Sequence, residues 1–375
     1  MAASPVVAAH GKSPNYTVPM ISFKAKNCIS GAVSICGIAL SVLMQLAYAG
    51  SKPPQAPYRI QELWKVGGEG GWRHLLLDTS HHLLYIPRTD QVTVIDTDTG
   101  KEAGKITGLV NARDIALDDQ GRYGYVTDMV DGATGVVRVF DCATLKVTTA
   151  IPIGIHFDDV IFELLTKKVV AFSMRGKSAV VINSASNEVV STITVPGRPS
   201  AAVSDGKGQV FVTMNGTGVI ARLDASSMKV TASWAVKPCV GPFSLAFDKV
   251  HRTILAACEN DMVIAVDANT GKIRPVTGGN LQIGELAFDS NNHLLFSTSN
   301  NGTLSILRQD SGMHYSLVQE LETQLGGRAF AIDPVKDRIY LASSKYGLRT
   351  GKVSEELEFR PTPVADSFSI IVIGR

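Results

Sequence analysis

A pattern of about 43 residues recurs along most of this 375-residue chain and restricts its possible folds more than any other feature. Each copy has a short apolar run that ends in a polar residue, then a turn, an alternating apolar strand and a second strand that also ends in a polar residue. The first polar position is held by Asp78, Asp118, Glu163, Ser204, Asp248, Asp289 and Asp333. The strand-ending position is held by Asp96, Asp141, Asn183, Asp224, Asp267 and Gln309. The two series run in phase, so the chain repeats one structural unit seven times.

Each repeat has the sequence character of β-strands. Apolar and polar residues alternate with a period of two, and polar turns such as residues 96–100 and 267–271 separate the strands. The 34 glycines and 16 prolines disfavour a helical alternative. Four short strands fit in one period, and one such sheet buries its two faces only when further sheets stack around an axis. The sequence therefore predicts an all-β fold, a seven-bladed β-propeller of four-stranded antiparallel blades.

The last repeat lacks one strand. Residues 330–333, 339–341 and 368–373 supply three strands, and the sequence then stops at Arg375. Residues 60–66 have strand character and precede the first repeat. We expect this N-terminal strand to pair with the last blade, which closes the ring and removes an open sheet edge.

Residues 1–49 are predicted to be a signal peptide. Lys24 and Lys26 precede an apolar stretch over residues 29–46, and residues 47–49 form a small-x-small cleavage site. Met20 would make a more ordinary start of translation, and an uncleaved N-terminal membrane anchor is the alternative. Residues 50–375 then form a single propeller domain, in the periplasm or outside the cell. Removing residues 1–49, which hold three lysines and no acid, changes the formal net charge from +2 to −1.

Three of the five cysteines lie in the predicted mature chain: Cys142, Cys239 and Cys258. Export permits a disulfide, and Cys239–Cys258 is the preferred pair. Buried free cysteines are also common, because a free cysteine packs as a small apolar side chain. The sequence favours free thiols over the disulfide.

The repeats resemble the YVTN-type (YncE-like) seven-bladed β-propeller family from about residue 60 to residue 374. The resemblance rests on Leu84-Tyr85-Ile86-Pro87, Tyr125-Val126-Thr127-Asp128, Val210-Phe211-Val212-Thr213-Met214-Asn215 and the turn at Val94-Ile95-Asp96-Thr97. It implies a secreted or periplasmic propeller. It implies no particular activity, because related propellers bind diverse ligands or act as lactonases or quinone-dependent dehydrogenases.

Residues just before each innermost strand are expected to ring the mouth of the central channel. Counting back four and five positions from each anchor puts Arg328, Arg73 and Arg113 on blades seven, one and two, which are neighbours in a closed ring. The same count gives His74, Asp114, Asp158, Asp159 and Glu285, with His156 close by. A cationic arc that faces acidic groups suits a ligand with a carboxylate or phosphate beside hydroxyls. The alternative, in which these charges only pair with one another, stays open.

The predicted function is a binding protein that holds a small anionic ligand or docks a partner protein at this channel-mouth face. A hydrolase of a lactone or sugar acid is the alternative, with an acid among the carboxylates or His156. No catalytic residue can be assigned, and an enzyme is the less favoured option. The sequence contains no metal-ligand spacing and no cofactor fingerprint, so no metal and no cofactor are predicted. The near-neutral charge gives no case for nucleic acid. We expect a monomer with no membrane association after signal cleavage.

Overall fold

The computed structural model describes residues 56–277, 283–347 and 362–375, and within them it contains seven four-stranded antiparallel sheets. The predicted seven-bladed β-propeller is confirmed. The predicted signal peptide lies outside the described residues, as does most of the long connection in the last blade. The described residues include no helix of the length and apolarity needed to cross a membrane.

The chain enters the fold as strand β1, Arg59–Lys65. Blades one to three then follow in chain order, with four strands each. Their bounds are β2 (Leu76–Asp78), β3 (Leu83–Pro87), β4 (Val92–Asp96), β5 (Lys101–Ile106), β6 (Ala112–Leu117), β7 (Tyr123–Met129), β8 (Thr134–Asp141), β9 (Lys146–Ile155), β10 (Phe157–Glu163), β11 (Lys168–Ser173), β12 (Ser178–Asn183) and β13 (Glu188–Thr194).

Blades four to six repeat this arrangement, and blade seven differs. The bounds of blades four to six are β14 (Arg198–Ser204), β15 (Gln209–Asn215), β16 (Val219–Asp224), β17 (Lys229–Ala235), β18 (Pro242–Asp248), β19 (Thr253–Cys258), β20 (Met262–Asp267), β21 (Ile273–Val276), β22 (Ile283–Asp289), β23 (Leu294–Ser299), β24 (Thr303–Ser311) and β25 (His314–Glu322). Blade seven supplies β26 (Phe330–Asp333), β27 (Arg338–Ser343) and β30 (Ser369–Gly374), with a small added hairpin of β28 (Tyr346–Gly347) and β29 (Thr362–Pro363).

Strand β1 closes the ring as the sequence predicts. It pairs antiparallel with β30, with Arg59 opposite Gly374 and Trp64 opposite Ile370. The strand order of blade seven is β1-β30-β27-β26. The fourth strand of the last blade therefore comes from the other end of the described chain.

The first series of polar residues ties the turn after each innermost strand. Asp248, which is fully buried, accepts hydrogen bonds from the backbone N–H groups of Val250 (2.9 Å) and His251 (3.2 Å). Asp289 and Asp333 bind the corresponding N–H groups of their own turns. A buried carboxylate is stable there because backbone donors satisfy it. This geometry explains why the position is acidic in six of seven repeats.

The second series caps the turn between the third and fourth strands. Asp96 accepts hydrogen bonds from the backbone N–H of Asp98 and Thr99, each at 2.9 Å, and from the Thr99 hydroxyl at 3.1 Å. Asp267 makes the same three bonds to Asn269 and Thr270. Such turns form because a short acidic side chain can bind the backbone two residues ahead.

The hydrophobic core lies between neighbouring blades. In one representative layer, Val170 and Phe172 of blade three pack with Val210 and Val212 of blade four. The second and third strands of the blades are almost wholly buried, as in β3 and β4, whereas the outer strand β5 is largely exposed. This difference explains the continuous apolar runs in the middle of each repeat.

Two tryptophans wedge one blade against the next. Trp64 of β1 lies against Gly100 in blade one, and Trp234 of β17 lies against Gly271 in blade five. A Cβ atom at Gly100 would come within 2.5 Å of the Trp64 ring, and one at Gly271 within 2.2 Å of the Trp234 ring. Both glycines have positive φ, so the turn and the close approach both require glycine.

The preference for free thiols is wrong, because Cys239 and Cys258 form a disulfide with a Cα–Cα distance of 5.4 Å. Cys239 follows β17 and Cys258 ends β19, so the bond ties the link between blades four and five to the second strand of blade five. Cys142 is free and half-buried.

Candidate functional site

The residues before the innermost strands reach the channel mouth through a bulge in those strands. The ladder is irregular between Ala112 and Ile115 in blade two, and again between Ile283 and Leu286 in blade six. A threonine on the second strand replaces the missing backbone partner. Thr127 Oγ1 accepts the N–H of Asp114 at 3.1 Å, and Thr298 Oγ1 accepts the N–H of Glu285 at 2.9 Å. The bulges thereby fix two of the predicted carboxylates.

A cavity of about 690 Å³ opens at this mouth. Of the nine predicted site residues it brings together eight: Arg73, His74, Arg113, Asp114, Asp158, Asp159, Glu285 and Arg328. Its volume is typical of a small-molecule pocket. His156 does not line the cavity. It sits between β9 and β10 in a left-handed turn (φ 50°), and its backbone N–H binds Ala133 O at 2.7 Å.

The three arginines differ in their partners. Arg113 donates through Nε and Nη2 to Asp158 Oδ1, with the Nε contact at 2.8 Å. Within the described part of the chain, Arg73 and Arg328 have no ion-pair partner and no side-chain hydrogen bond. Burial in the channel and the nearby Arg113 guanidinium lower the pKa of Arg73; Asp158 opposes this effect and Arg328 adds to it. The arginines therefore form one positive cluster that is only partly neutralised.

Asp114 and Asp159 form a carboxyl pair on the acidic side. Burial and the adjacent Asp114 carboxylate raise the pKa of Asp159 well above its usual range. Asp114 is 6% exposed; its Oδ2 accepts the N–H of Val160 at 2.9 Å, and its Oδ1 has no conventional partner among the described residues. Two ionised carboxylates at this distance would repel each other, which favours the protonated form of Asp159.

His74 and Glu285 contact each other at the channel mouth, with His74 Nδ1 at 3.0 Å from Glu285 Oε2. In blade seven, which lies between them, the position equivalent to His74 and Glu285 is Ala329, whose small side chain leaves room for the contact. Burial by itself would lower the pKa of His74, but Glu285, Asp114 and Asp159 outweigh it and raise the pKa to about 10. The His74 side chain is 54% exposed to solvent, because it faces the open channel. The neighbouring carboxylates thus favour the protonated, cationic form of His74.

Sequence reasoning missed several lining residues. Glu259 and Asp261 follow the second strand of blade five, and Asn300 follows that of blade six. The loops between the second and third strands lie on the same face as the residues before the innermost strands. Including these loops in the search would have identified Glu259, Asp261 and Asn300. Trp72 also lines the cavity, but it lies one position before Arg73 and therefore outside the two positions counted in each repeat.

No protein-family model and no curated protein matches this chain. Solved propellers are similar in fold. The RRP9 WD40 repeats align with a TM-score of 0.67 at 11% identity, covering 86% of this chain and 99% of that one. The β-propeller domain of Cps50 (Swd1) from Myceliophteria thermophila aligns with a TM-score of 0.65 at 14% identity, covering 85% and 100%.

A third similar structure is hydrazine synthase from Kuenenia stuttgartiensis, with a TM-score of 0.62 at 16% identity over 77% of this chain and 96% of that one. At such low sequence identity, these similarities show the fold and do not extend to the chemistry of the channel mouth. By fold, this chain is a seven-bladed β-propeller similar to WD40 propellers.

Proposed function

We propose that this protein binds a small anionic ligand at the channel mouth. The observation that carries the proposal is the cluster of Arg73, Arg113 and Arg328, in which Arg73 and Arg328 lack a protein partner within the described residues. A guanidinium offers a planar fork of donors that matches a carboxylate or phosphate. Charges that only neutralised each other would pair all three arginines, and here a single arginine is paired.

The opposite side of the mouth suits hydroxyl groups of the same ligand. Asp114, Asp159 and Glu285 face the cavity with Ser200 and Ser244. Carboxylates accept hydrogen bonds from hydroxyls, and a protonated carboxyl can also donate one. A polyhydroxylated acid, such as a sugar acid or sugar phosphate, uses both sides.

The test is a binding titration of the full chain with gluconate, a sugar phosphate and inorganic phosphate, with Arg73→Ala, Arg328→Ala and an exposed control, Arg308→Ala on β24. We expect at least one anion to bind the wild type and the control equally. The two mouth variants should bind it about tenfold or more weakly, because each loses a charge-assisted hydrogen bond. Binding that ignores both mouth substitutions, or no binding of any of these anions, would refute the proposal.

We further propose that the chain belongs to the YVTN-type propeller family, is exported and acts as a monomer. The Cys239–Cys258 disulfide supports export, because disulfides persist in oxidising compartments. The repeat sequences support the family assignment.

The Asp114–Asp159 pair favours one alternative, a hydrolase of a lactone or sugar acid in the same cavity. A carboxyl group with a raised pKa can act as a general acid. Hydrolysis of a sugar lactone that disappears in Asp159→Asn, while anion binding persists, would favour this alternative. If no small anion binds, a docking site for a partner protein becomes the better explanation of the same face.

A further inference from the structure

A second cavity of about 430 Å³ opens beside the channel mouth. It is lined by Gly71, Trp72, Asn300, Leu325, Gly326, Arg328, Tyr346 and Pro363. Three of these residues, Trp72, Asn300 and Arg328, also line the channel cavity. The two cavities therefore meet at an arginine that lacks a protein partner in the described chain.

The walls of this side cavity are mostly apolar and aromatic. Trp72 and Tyr346 contribute rings, and Leu325, which is 62% exposed, adds an aliphatic surface that nothing in the described chain covers. Gly326 has φ 78°, and a Cβ atom there would lie 2.4 Å from the Tyr346 ring. A Cβ atom at Gly71 would meet nothing within 4 Å. Gly326 thus lets the Tyr346 ring approach closely, and Gly71 leaves free volume in the wall of the cavity.

The Trp72 wall is held in place before any ligand arrives. Its ring packs on Phe368 with centroids 4.9 Å apart, and the Arg88 guanidinium lies 4.2 Å from the Phe368 centroid. Arg88 is 3% exposed and donates to the carbonyl oxygens of Gly71 (3.0 Å) and Glu69 (2.7 Å). A buried arginine that ties down the preceding loop gives the ligand a preformed surface, which reduces the ordering cost of binding.

We infer that the anionic ligand also carries an aromatic or similarly planar apolar group, which fills the side cavity while the anionic head reaches Arg328. This inference rests on the proposed anion site and specifies the class of its ligand. The volume fits a substituted ring, and stacking on Trp72 and Tyr346 suits a flat group. Arg328 at the junction supplies the charge complement that selects an anion over a neutral aromatic compound.

The experiment compares three probes on the full chain by calorimetric or NMR titration: 4-phenylbutyrate, butyrate and the neutral 4-phenylbutanol. We expect 4-phenylbutyrate to bind the wild type about tenfold or more tightly than either other probe, because it alone uses both the ring site and the arginine. Gly71→Leu, which fills the side cavity, should remove the advantage over butyrate and leave butyrate binding unchanged. Leu325→Ala should reduce the advantage, and the matched control Leu317→Ala, an exposed leucine on β25, should keep it.

Equal affinity for 4-phenylbutyrate and butyrate, with both weakened by Arg328→Ala, overturns the side-cavity inference and keeps the anion site. An advantage that survives Gly71→Leu, or equal binding of 4-phenylbutanol, also overturns it. If neither carboxylate binds, or neither depends on Arg328, the anion site fails and this inference fails with it.

Discussion

Asp159 shows how one residue at the mouth depends on the protonation of its neighbours. Burial and the adjacent Asp114 carboxylate raise the pKa of the Asp159 carboxyl in the folded protein above the 3.8 of an unfolded aspartate. A group whose pKa rises on folding adds stability at low pH, below its unfolded pKa, and this contribution is lost as the pH rises through the folded pKa. The acid pair therefore makes the fold weaker at neutral pH than it would be with a neutral partner.

Asp159→Asn tests this directly. The asparagine amide copies the protonated carboxyl and can still donate to Asp114, but it cannot ionise. We expect the melting temperature of this variant to be close to that of the wild type near pH 4 and to exceed it increasingly as the pH rises toward 8. Thermal melts across that range measure the difference. The matched control is Asp158→Asn, which removes the negative charge beside Arg113. Parallel pH profiles for Asp159→Asn and the wild type would contradict a raised pKa of Asp159.

Single residues of the site could be predicted wherever the repeat fixed their position. Arg73, Arg113 and Arg328 follow from counting back from the anchors, because each blade enters the channel in the same way. The count could not reveal that Asp158 neutralises one arginine and that the other two have no partner among the described residues. The count also could not show that His156 lies outside the cavity. Its position depends on its left-handed backbone conformation between β9 and β10, which the repeat pattern does not predict.

At the scale of elements, the fold depends on turns and on a disulfide. The local sequence predicts the turns but not the disulfide. The acidic anchors are visible in the sequence because each one binds its own turn, a contact that spans two or three residues. The disulfide is not visible in this way. Cys239 and Cys258 are 19 residues apart, and only the path of the link into blade five brings their Cα atoms to 5.4 Å.

Removing this disulfide should destabilise blade five. A cross-link over a loop of this length restricts the unfolded chain, and we expect the Cys239→Ala/Cys258→Ala double variant to lose about 2–4 kcal/mol of unfolding free energy. Urea titrations with and without a reducing agent measure the loss. Reduction should weaken the wild type and leave the double variant unchanged, and Cys142→Ala should keep the sensitivity of the wild type. A wild type indifferent to reduction would mean that the bond does not support the fold.

For the whole molecule, the closed ring joins residues that are far apart in sequence. Strand β1 completes a blade whose other strands come more than 260 residues later. The sequence predicted this closure because six repeats hold four strands and the seventh holds three. The same logic could not predict the side cavity, which forms where blade six, the added hairpin of blade seven and the loop before blade one meet.

Trp64 offers a test of closure. Trp64 is 8% exposed, and its ring lies 5.4 Å from the Tyr340 ring of blade seven. It also packs against the first blade, so it contacts both blades where the ring closes. Trp64→Ala should cost about 3–5 kcal/mol, the usual range for deleting a buried aromatic side chain. Because β1 covers the edge of β30, the amides of β30 should also lose protection in hydrogen exchange.

Trp234→Ala is the matched control, since its ring makes the same contact with a glycine turn between blades four and five. It is more exposed and belongs to a blade whose strands are continuous in sequence, so it should cost less and leave β30 protected. If the two variants lose equal stability and β30 stays protected in both, pairing of the chain ends does not limit the stability of the ring.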